Sequence, residues 1–282
     1  MTADIFDIIP SAFTKKALDV FKFQYENNDT YREYCDHLKV DQANVSTLTQ
    51  IPFLPIRLFK NRSIATGKFE PQAIFESSGT TGSQSSKHFV KDLSIYENSF
   101  KNTFRTFYGN VEDYCILGLL PSYLERGNSS LVYMVNNLIN ESKHKSSGFF
   151  LHNHEQLSKI IQENESNQQQ TLLIGVSYAL LDFAEDFPMK LGHTIVMETG
   201  GMKGRKKEIS KKEMHGILKE RFQLKHIHSE YGMTELLSQA YSSADGIFET
   251  PAWMKIMIRE EDNPLKTLES EASAVSGGIN II

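Results

Sequence analysis

Apolar positions recur on one helical stripe between Ser11 and Asn27, at Phe13, Ala17, Val20, Phe21 and Tyr25, which predicts an amphipathic helix. Asn28-Asp29-Thr30 supplies a break and an N-cap before a second helix through Tyr34 and Leu38. Residues 47–62 carry Pro52 and Pro55 and read as an extended, apolar connection. Another strong amphipathic helix is expected over Leu93–Tyr108. From Tyr114 onward the pattern alternates. Strand-like runs at 114–120, 147–151, 171–176, 193–199 and 225–230 are separated by helix-like runs at 129–142, 154–165, 178–186 and 210–221. Such β-α repetition with Val, Ile and Leu in the strands predicts a mostly parallel sheet flanked by helices, an α/β fold. Segments 236–241 and 254–259 are expected to be antiparallel or peripheral strands, and the polar stretch 162–170 a surface loop. One continuous α/β domain is favoured over two separate ones.

Bulk properties narrow the classes. With 282 residues the chain can bury a sizeable core, and 40% hydrophobic and 23% charged residues are ordinary for a globular protein. A net charge of -5 argues against a nucleic-acid partner. No apolar run reaches the roughly 18–20 residues of a transmembrane helix, and the early acids Asp4 and Asp7 do not suit a signal peptide. The only cysteines are Cys35 and Cys115, which form no disulfide framework, so a cytoplasmic location is expected. Cys115 lies in an apolar strand and reads as a buried hydrophobe; Cys35 lacks the basic surroundings that favour a thiolate.

The most informative run is Ser77-Ser78-Gly79-Thr80-Thr81-Gly82-Ser83-Gln84-Ser85-Ser86-Lys87, entered from the apolar stretch Gln72–Phe75. Its hydroxyls, backbone N–H groups and ammonium suit a polyphosphate; the alternative is a flexible linker. It is not a Walker A loop, because Gly79 and four further residues lead to Gln84 rather than Gly-Lys. A second motif, His228-Ser229-Glu230-Tyr231-Gly232-Met233-Thr234-Glu235, follows the strand-like Leu224–Ile227, where ligands of α/β sheets collect. The Thr234 hydroxyl can hold a phosphate oxygen and the Glu235 carboxylate a Mg2+ ion; a plain strand–turn–helix with a capping Thr is the competing reading.

Taken together, Ser-Gly-Thr-Thr-Gly at 78–82, Glu198-Thr199-Gly200-Gly201 and Tyr-Gly-Met-Thr-Glu at 231–235 resemble the adenylate-forming superfamily of acyl-CoA synthetases, adenylation domains and luciferases. The segment Pro121–Leu131 and the close Gly277–Ile282 narrow the likeness to the LuxE-type acyl-protein synthetases. The resemblance implies a large N-terminal domain of the adenylate-forming type, with a helical lead-in over 1–65 and an α/β adenylation domain over 66–282. It also implies that a small C-terminal subdomain is missing or truncated here. The function it implies is activation of a carboxylic acid, a fatty acid in this family, to acyl-AMP with ATP and Mg2+ and release of pyrophosphate, then acyl transfer to a protein thiol. Alternatives are a phenylacetate-CoA-ligase-like acyl-CoA synthetase and an inactive nucleotide- or acyl-adenylate-binding partner subunit. A reductase or transferase protein partner is implied by the luminescence analogy alone.

On this resemblance Ser78, Gly79, Thr80, Thr81, Gly82 and Lys87 grip the β- and γ-phosphates, Thr234 contacts the α-phosphate and Glu235 holds Mg2+. Glu198, Thr199, Gly200 and Gly201 with Ser229, Glu230, Tyr231 and Gly232 wall the adenine. Tyr123 falls where the family has an aromatic near the acyl pocket, an ordinary core tyrosine being the alternative. Lys87 departs from the family pattern: its offset from Gly82 is longer and the usual preceding proline is missing. The ribose-gripping Thr/Ser-Gly-Asp, the C-terminal catalytic lysine and a cysteine after Cys115 are also not recognisable. His226-x-His228 and His152-x-His154 read as surface or core histidines rather than metal pairs. The basic run Lys203–Lys207 with Lys211 and Lys212 reads as a solvated face that could steer an acidic ligand.

Overall fold

A computed structural model describes residues 5–78, 84–200, 209–268 and 275–282, with the backbone alone at Tyr123. The chain divides into two compact units, one made of residues 1–95 and 250–282, the other of 96–249.

In the first unit, α1 (Pro10–Asn27) starts on a proline, whose missing N–H is harmless there. Asn28 ends it and caps α2 (Asp29–His37), its Oδ1 accepting from the Tyr31 N–H at 3.1 Å. The expected stripe packs as a small core of Phe21, Tyr31, Cys35 and Val45, with Leu18, Tyr25 and Leu54 against it. Tyr31 donates its hydroxyl to the Pro52 carbonyl at 2.7 Å, fixing the connection that follows. That connection is not extended throughout. A 3-10 turn at Leu48–Gln50 and the short helix α3 (Leu58–Asn61) interrupt it, the first closed by reciprocal bonds between Thr47 and Gln50. Next comes a hairpin of β1 (Ala73–Glu76) and β2 (Lys87–Val90), paired antiparallel from Ala73↔Val90 to Glu76↔Lys87.

The second unit is built on α4 (Leu93–Tyr108), whose Tyr96, Ser99, Phe100, Thr103 and Phe104 form the buried stripe. A six-stranded sheet follows. Its elements are β3 (Cys115–Leu119), α5 (Tyr123–Arg126), α6 (Ser130–Ser142), β4 (Gly148–Phe149), α7 (His154–Ser166), β5 (Thr171–Val176), α8 (Ser177–Asp186), β6 (Thr194–Thr199), α9 (Lys211–Phe222), β7 (His228–Tyr231) and β8 (Ala240–Ser242). The strand order is β4-β3-β5-β6-β7-β8, parallel except for β8. β3 and β5 are buried at every position, as strands covered on both faces must be. The segment expected to be a loop after residue 162 stays helical to Ser166. Asn164 there is buried because its amide donates to Thr171 Oγ1 at 3.0 Å. The last strand of the parallel set begins at His228, three residues beyond the expected start at 225.

The chain then returns to the first unit. β9 (Ile256–Arg259) is the centre of an antiparallel sheet with β10 (Thr267–Leu268) and β11 (Gly278–Ile281) at its edges. The antiparallel pairing expected around 236–241 and 254–259 holds for β8, which begins only at Ala240, and for β9. Among the described residues no helix is long and apolar enough to cross a membrane.

Candidate active site

Parallel pairing of β6 and β7 sets Glu198 beside Ser229 and Thr199 beside Glu230 at the carboxyl ends of the strands. Adjacent strand residues face opposite ways, so each pair belongs to a different face of the sheet. On one face the Glu198 carboxylate meets α9. Lys211 Nζ lies 2.5 Å from its Oε1, and His215 Nε2, one helical turn on, stands 3.6 Å from the same oxygen. Burial pushes the Glu198 carboxyl up, but the neighbouring His215, Lys211 and Ser229 side chains more than offset it and hold it below its usual range. Among the described residues His215 Nε2 and Ser229 Oγ are buried and find no well-formed hydrogen-bond partner. α9 itself is started by Ser210, whose hydroxyl accepts from the Glu213 N–H at 3.1 Å.

On the other face Glu230 is buried and accepts a short hydrogen bond from the Thr199 hydroxyl. Burial lifts its carboxyl to about 7, against the Thr199 bond and with the charge of Glu198 adding to the rise. Two carboxyls one register step apart thus differ in protonation: Glu198 ionised, Glu230 poised near neutrality. His228, at the start of β7, meets the Tyr108 hydroxyl through Nδ1 at 3.1 Å. Burial, with His226 adding to it, drives His228 down to about 4, so it is a neutral packing histidine.

The turn after β7 carries the motif. Gly232 is its first residue, and a Cβ there would stand 2.6 Å from Glu230 Oε1, so a side chain would have to displace that carboxyl. The Leu236 N–H donates to the Met233 carbonyl at 3.1 Å, placing Thr234 and Glu235 on the turn, both partly exposed. The chain then re-enters the sheet as β8, with Tyr231 opposite Ala240. The motif is therefore strand–turn–strand. Tyr231 packs edge-on to Phe248, with ring centroids 6.1 Å apart, and the Lys211 ammonium lies 5.0 Å from that Phe248 ring. At the end of β6, Gly200 turns with φ +67°, and among the described residues an added Cβ would meet nothing within 4 Å.

The structure therefore brings Glu198, Thr199, Gly200, Ser229, Glu230, Tyr231 and Gly232 together, with Thr234 and Glu235 on the turn they support. Gly79, Thr80, Thr81, Gly82 and Gly201 lie outside the described residues, as does the basic run 203–207. Tyr123 opens α5, which Ser122 and Glu125 cap reciprocally; its side chain is likewise outside the description. Ser78 and Lys87 belong to the hairpin of the other unit, where the Ser77 hydroxyl accepts from the Ser86 N–H at 2.8 Å. Lys87 is thus the first residue of β2, not the end of a loop, and its ammonium is 3.4 Å from Glu76 across the ladder. Lys211, grouped by sequence with a solvated basic face, instead neutralises a buried carboxylate. It and His215 were missed; the available signal was their i,i+4 spacing on a helix following a strand that ends in Glu.

Among the described residues no three His, Cys, Asp or Glu side chains form a metal cluster. Mg2+ does not need one, because it keeps several waters and takes one or two carboxylates together with substrate phosphates. The single, partly exposed carboxylate of Glu235 fits that role.

Comparison with known proteins bears on the same residues. The family described as acyl-protein synthetase, LuxE, matches residues 9–277. A long-chain-fatty-acid–luciferin-component ligase of Photorhabdus luminescens is 38% identical over 72 residues, covering 25% of this chain and 61% of that protein. The protein of the same name from Vibrio harveyi is 38% identical over 66 residues, covering 23% of this chain and 17% of that protein. The aligned part is thus less than two thirds of either relative. Among solved structures, 2-hydroxyisobutyryl-CoA ligase in an open conformation with 2-HIB-AMP and CoA superimposes with a TM-score of 0.58 at 9% identity, over 92% of this chain and 63% of that one. The same ligase in its postadenylation state gives 0.60 at 9% identity, over 92% and 56%. At that identity the likeness establishes the fold alone: an α/β architecture shared with adenylate-forming ligases.

Proposed function

Because the chain belongs to the LuxE acyl-protein synthetase family, we propose that it activates a fatty acid with ATP and passes the acyl group to a protein thiol. The observation that carries this reading is the Gly232–Glu235 turn at the carboxyl end of β7, beside the carboxyl end of β6. In the first half-reaction a carboxylate oxygen bonds to the α-phosphorus of ATP as the bond to the pyrophosphate oxygen breaks, giving acyl-AMP. Both reactants are anions, so the site must neutralise charge on the phosphates. The Thr234 hydroxyl donates to an α-phosphate oxygen, and Glu235 holds Mg2+, which supplies positive charge to the phosphates when bound. The hydroxyls and N–H groups of Ser78, Gly79, Thr80, Thr81 and Gly82, with the Lys87 ammonium, take the β- and γ-phosphates. The ends of β6 and β7, from Glu198 to Gly201 and from Ser229 to Gly232, wall the adenine, and Tyr123 borders the acyl pocket. In the second half-reaction a thiolate attacks the acyl carbonyl and AMP leaves.

The acceptor thiol is neither Cys35 nor Cys115. Both are fully buried, and burial pushes Cys35 up to about 11 and raises Cys115 as well. The same proposal includes the division into a helical lead-in over 1–65 and an adenylation domain over 66–282. The test is ATP–pyrophosphate exchange with acids from acetate to palmitate and with aryl acids. Exchange that rises with chain length supports the reading; none with any acid overturns it. AMP release that depends on added CoA would assign the second step to CoA instead of a protein.

A further inference from the structure

Of the two buried carboxyls at the strand ends, Glu198 has a cation against it and Glu230 makes no ion pair among the described residues. Glu230 is instead wedged. Its Oε2 takes the Thr199 hydroxyl, and its Oε1 fills the space a Gly232 side chain would need, 2.6 Å from the Cβ position. One oxygen is thus bonded to the last residue of β6, and the other lies under the first residue of the turn after β7.

We infer that Glu230 is a positioning residue for the nucleotide site: its carboxyl holds the Thr199 hydroxyl at the end of β6 and fills the space beside Gly232, and so helps set where the turn carrying the Thr234 hydroxyl and the Glu235 carboxylate stands. The inference rests on the adenylation reading and goes beyond it, because it gives the Glu230 carboxyl a role through the turn in addition to the place of its strand in the adenine wall. Among the described residues the titratable groups that act on it are Tyr96 and Tyr108 from α4, Tyr241 from β8 and its own neighbour Tyr231, with the Glu198 carboxylate of β6 and the Lys211 ammonium of α9 acting through the sheet from its other face. Lys211 is the one cation in this set, and it is already engaged by Glu198. A charge on Glu230 therefore faces ionised Glu198 and, once nucleotide binds, the polyphosphate. The protonated carboxyl is the form that admits the nucleotide, and burial keeps it available up to about pH 7.

The test follows KM for ATP in pyrophosphate exchange from pH 6 to 9. In the wild type KM rises above about pH 7, approaching tenfold per unit for a single ionisation. Glu230→Gln, uncharged and of the same shape, flattens the curve, so at pH 8 its KM is about tenfold below the wild-type value. Thr199→Val removes the hydrogen bond that holds Glu230 down and in place, so KM rises at every pH and the further rise moves to higher pH. The Val variant also provides a result should the Gln variant fail to fold. A Glu230→Gln curve parallel to the wild type, or a Thr199→Val curve that does not move, overturns the inference. Calorimetric binding of MgATP over the same pH range gives the same comparison without turnover. A protein that binds but does not exchange would remove the adenylation reading and leave Glu230 to be judged on its own binding curve.

Discussion

The two units each hold a lysine–glutamate pair near a proposed phosphate-binding segment, and the pairs differ in kind. Lys87 and Glu76 face each other across the hairpin at 3.4 Å, with side chains 53% and 32% exposed. Lys211 and Glu198 are 2.5 Å apart, and the carboxylate is only 2% exposed. An exposed pair is screened and contributes about 0–1 kcal/mol, so Lys87 can leave Glu76 for a phosphate at little cost. A buried carboxylate that loses its cation is left charged in a poor solvent, so Lys211 is committed to the fold. Burial, rather than residue type or closeness to a motif, separates the lysine available to ligand from the one that holds the sheet end together.

Removing the ammonium from the buried pair is the sharpest way to break this contrast. Lys211→Ala is expected to lower stability by about 3 kcal/mol in urea unfolding, the low end for a stranded buried charge because Lys211 itself is half-exposed. A loss below about 1 kcal/mol would put both pairs in one class. The pH dependence of stability should show opposite signs at the two strand-end carboxyls. Glu198 is held below its usual value, so its contribution is present above the unfolded value of 4.5 and is lost as pH falls through the folded one. Glu230 is raised from 4.5 to about 7, so its contribution is full below 4.5 and is lost as pH rises through 7. Across that window it amounts to roughly 2–3 kcal/mol, and Glu230→Gln should remove the decline in chemical unfolding measured from pH 4.5 to 8.

Smaller still is the cost of crowding the Glu230 carboxyl. Gly232→Ala should destabilise by about 1–2 kcal/mol through overpacking, and the penalty should vanish when Glu230 is also Ala. At the exposed pair, Lys87→Ala should change stability by less than about 1 kcal/mol. It should nonetheless raise KM for ATP in exchange assays several-fold, the loss of a charge-assisted phosphate contact. A Lys87→Ala protein that loses stability but keeps its KM would reverse the assignment of the two lysines.

What could be read from the sequence, and what could not, follows the same division between local and long-range causes. The helix over Leu93–Tyr108 was legible because its stripe repeats over four turns, and β5 because Leu172–Val176 is a short apolar run bounded by polar residues. β2 was not legible: Lys87-His88-Phe89-Val90 is short, and only pairing with Ala73–Glu76 makes it a strand. β7 begins late because the ladder from β6 offers partners from Met197 to Thr199 alone, leaving apolar Leu224–Ile227 outside it. Asn164 looked like loop chemistry, yet it is polar in order to bond Thr171 inside the unit. At the site, Thr234 and Glu235 could be read as a motif on contiguous residues. The partners of Glu198 could not, since Lys211 and His215 reach it only through the packing of α9 on the sheet end.

If the turn after β7 is the metal- and phosphate-side wall of an adenylating site, palmitate-dependent ATP–pyrophosphate exchange of the wild type and Glu235→Gln across a Mg2+ titration should show a loss on the order of 100-fold in the Gln variant, the size expected when one charge-stabilising group is removed. Near-wild-type exchange by Glu235→Gln at every Mg2+ concentration would contradict that assignment of the turn.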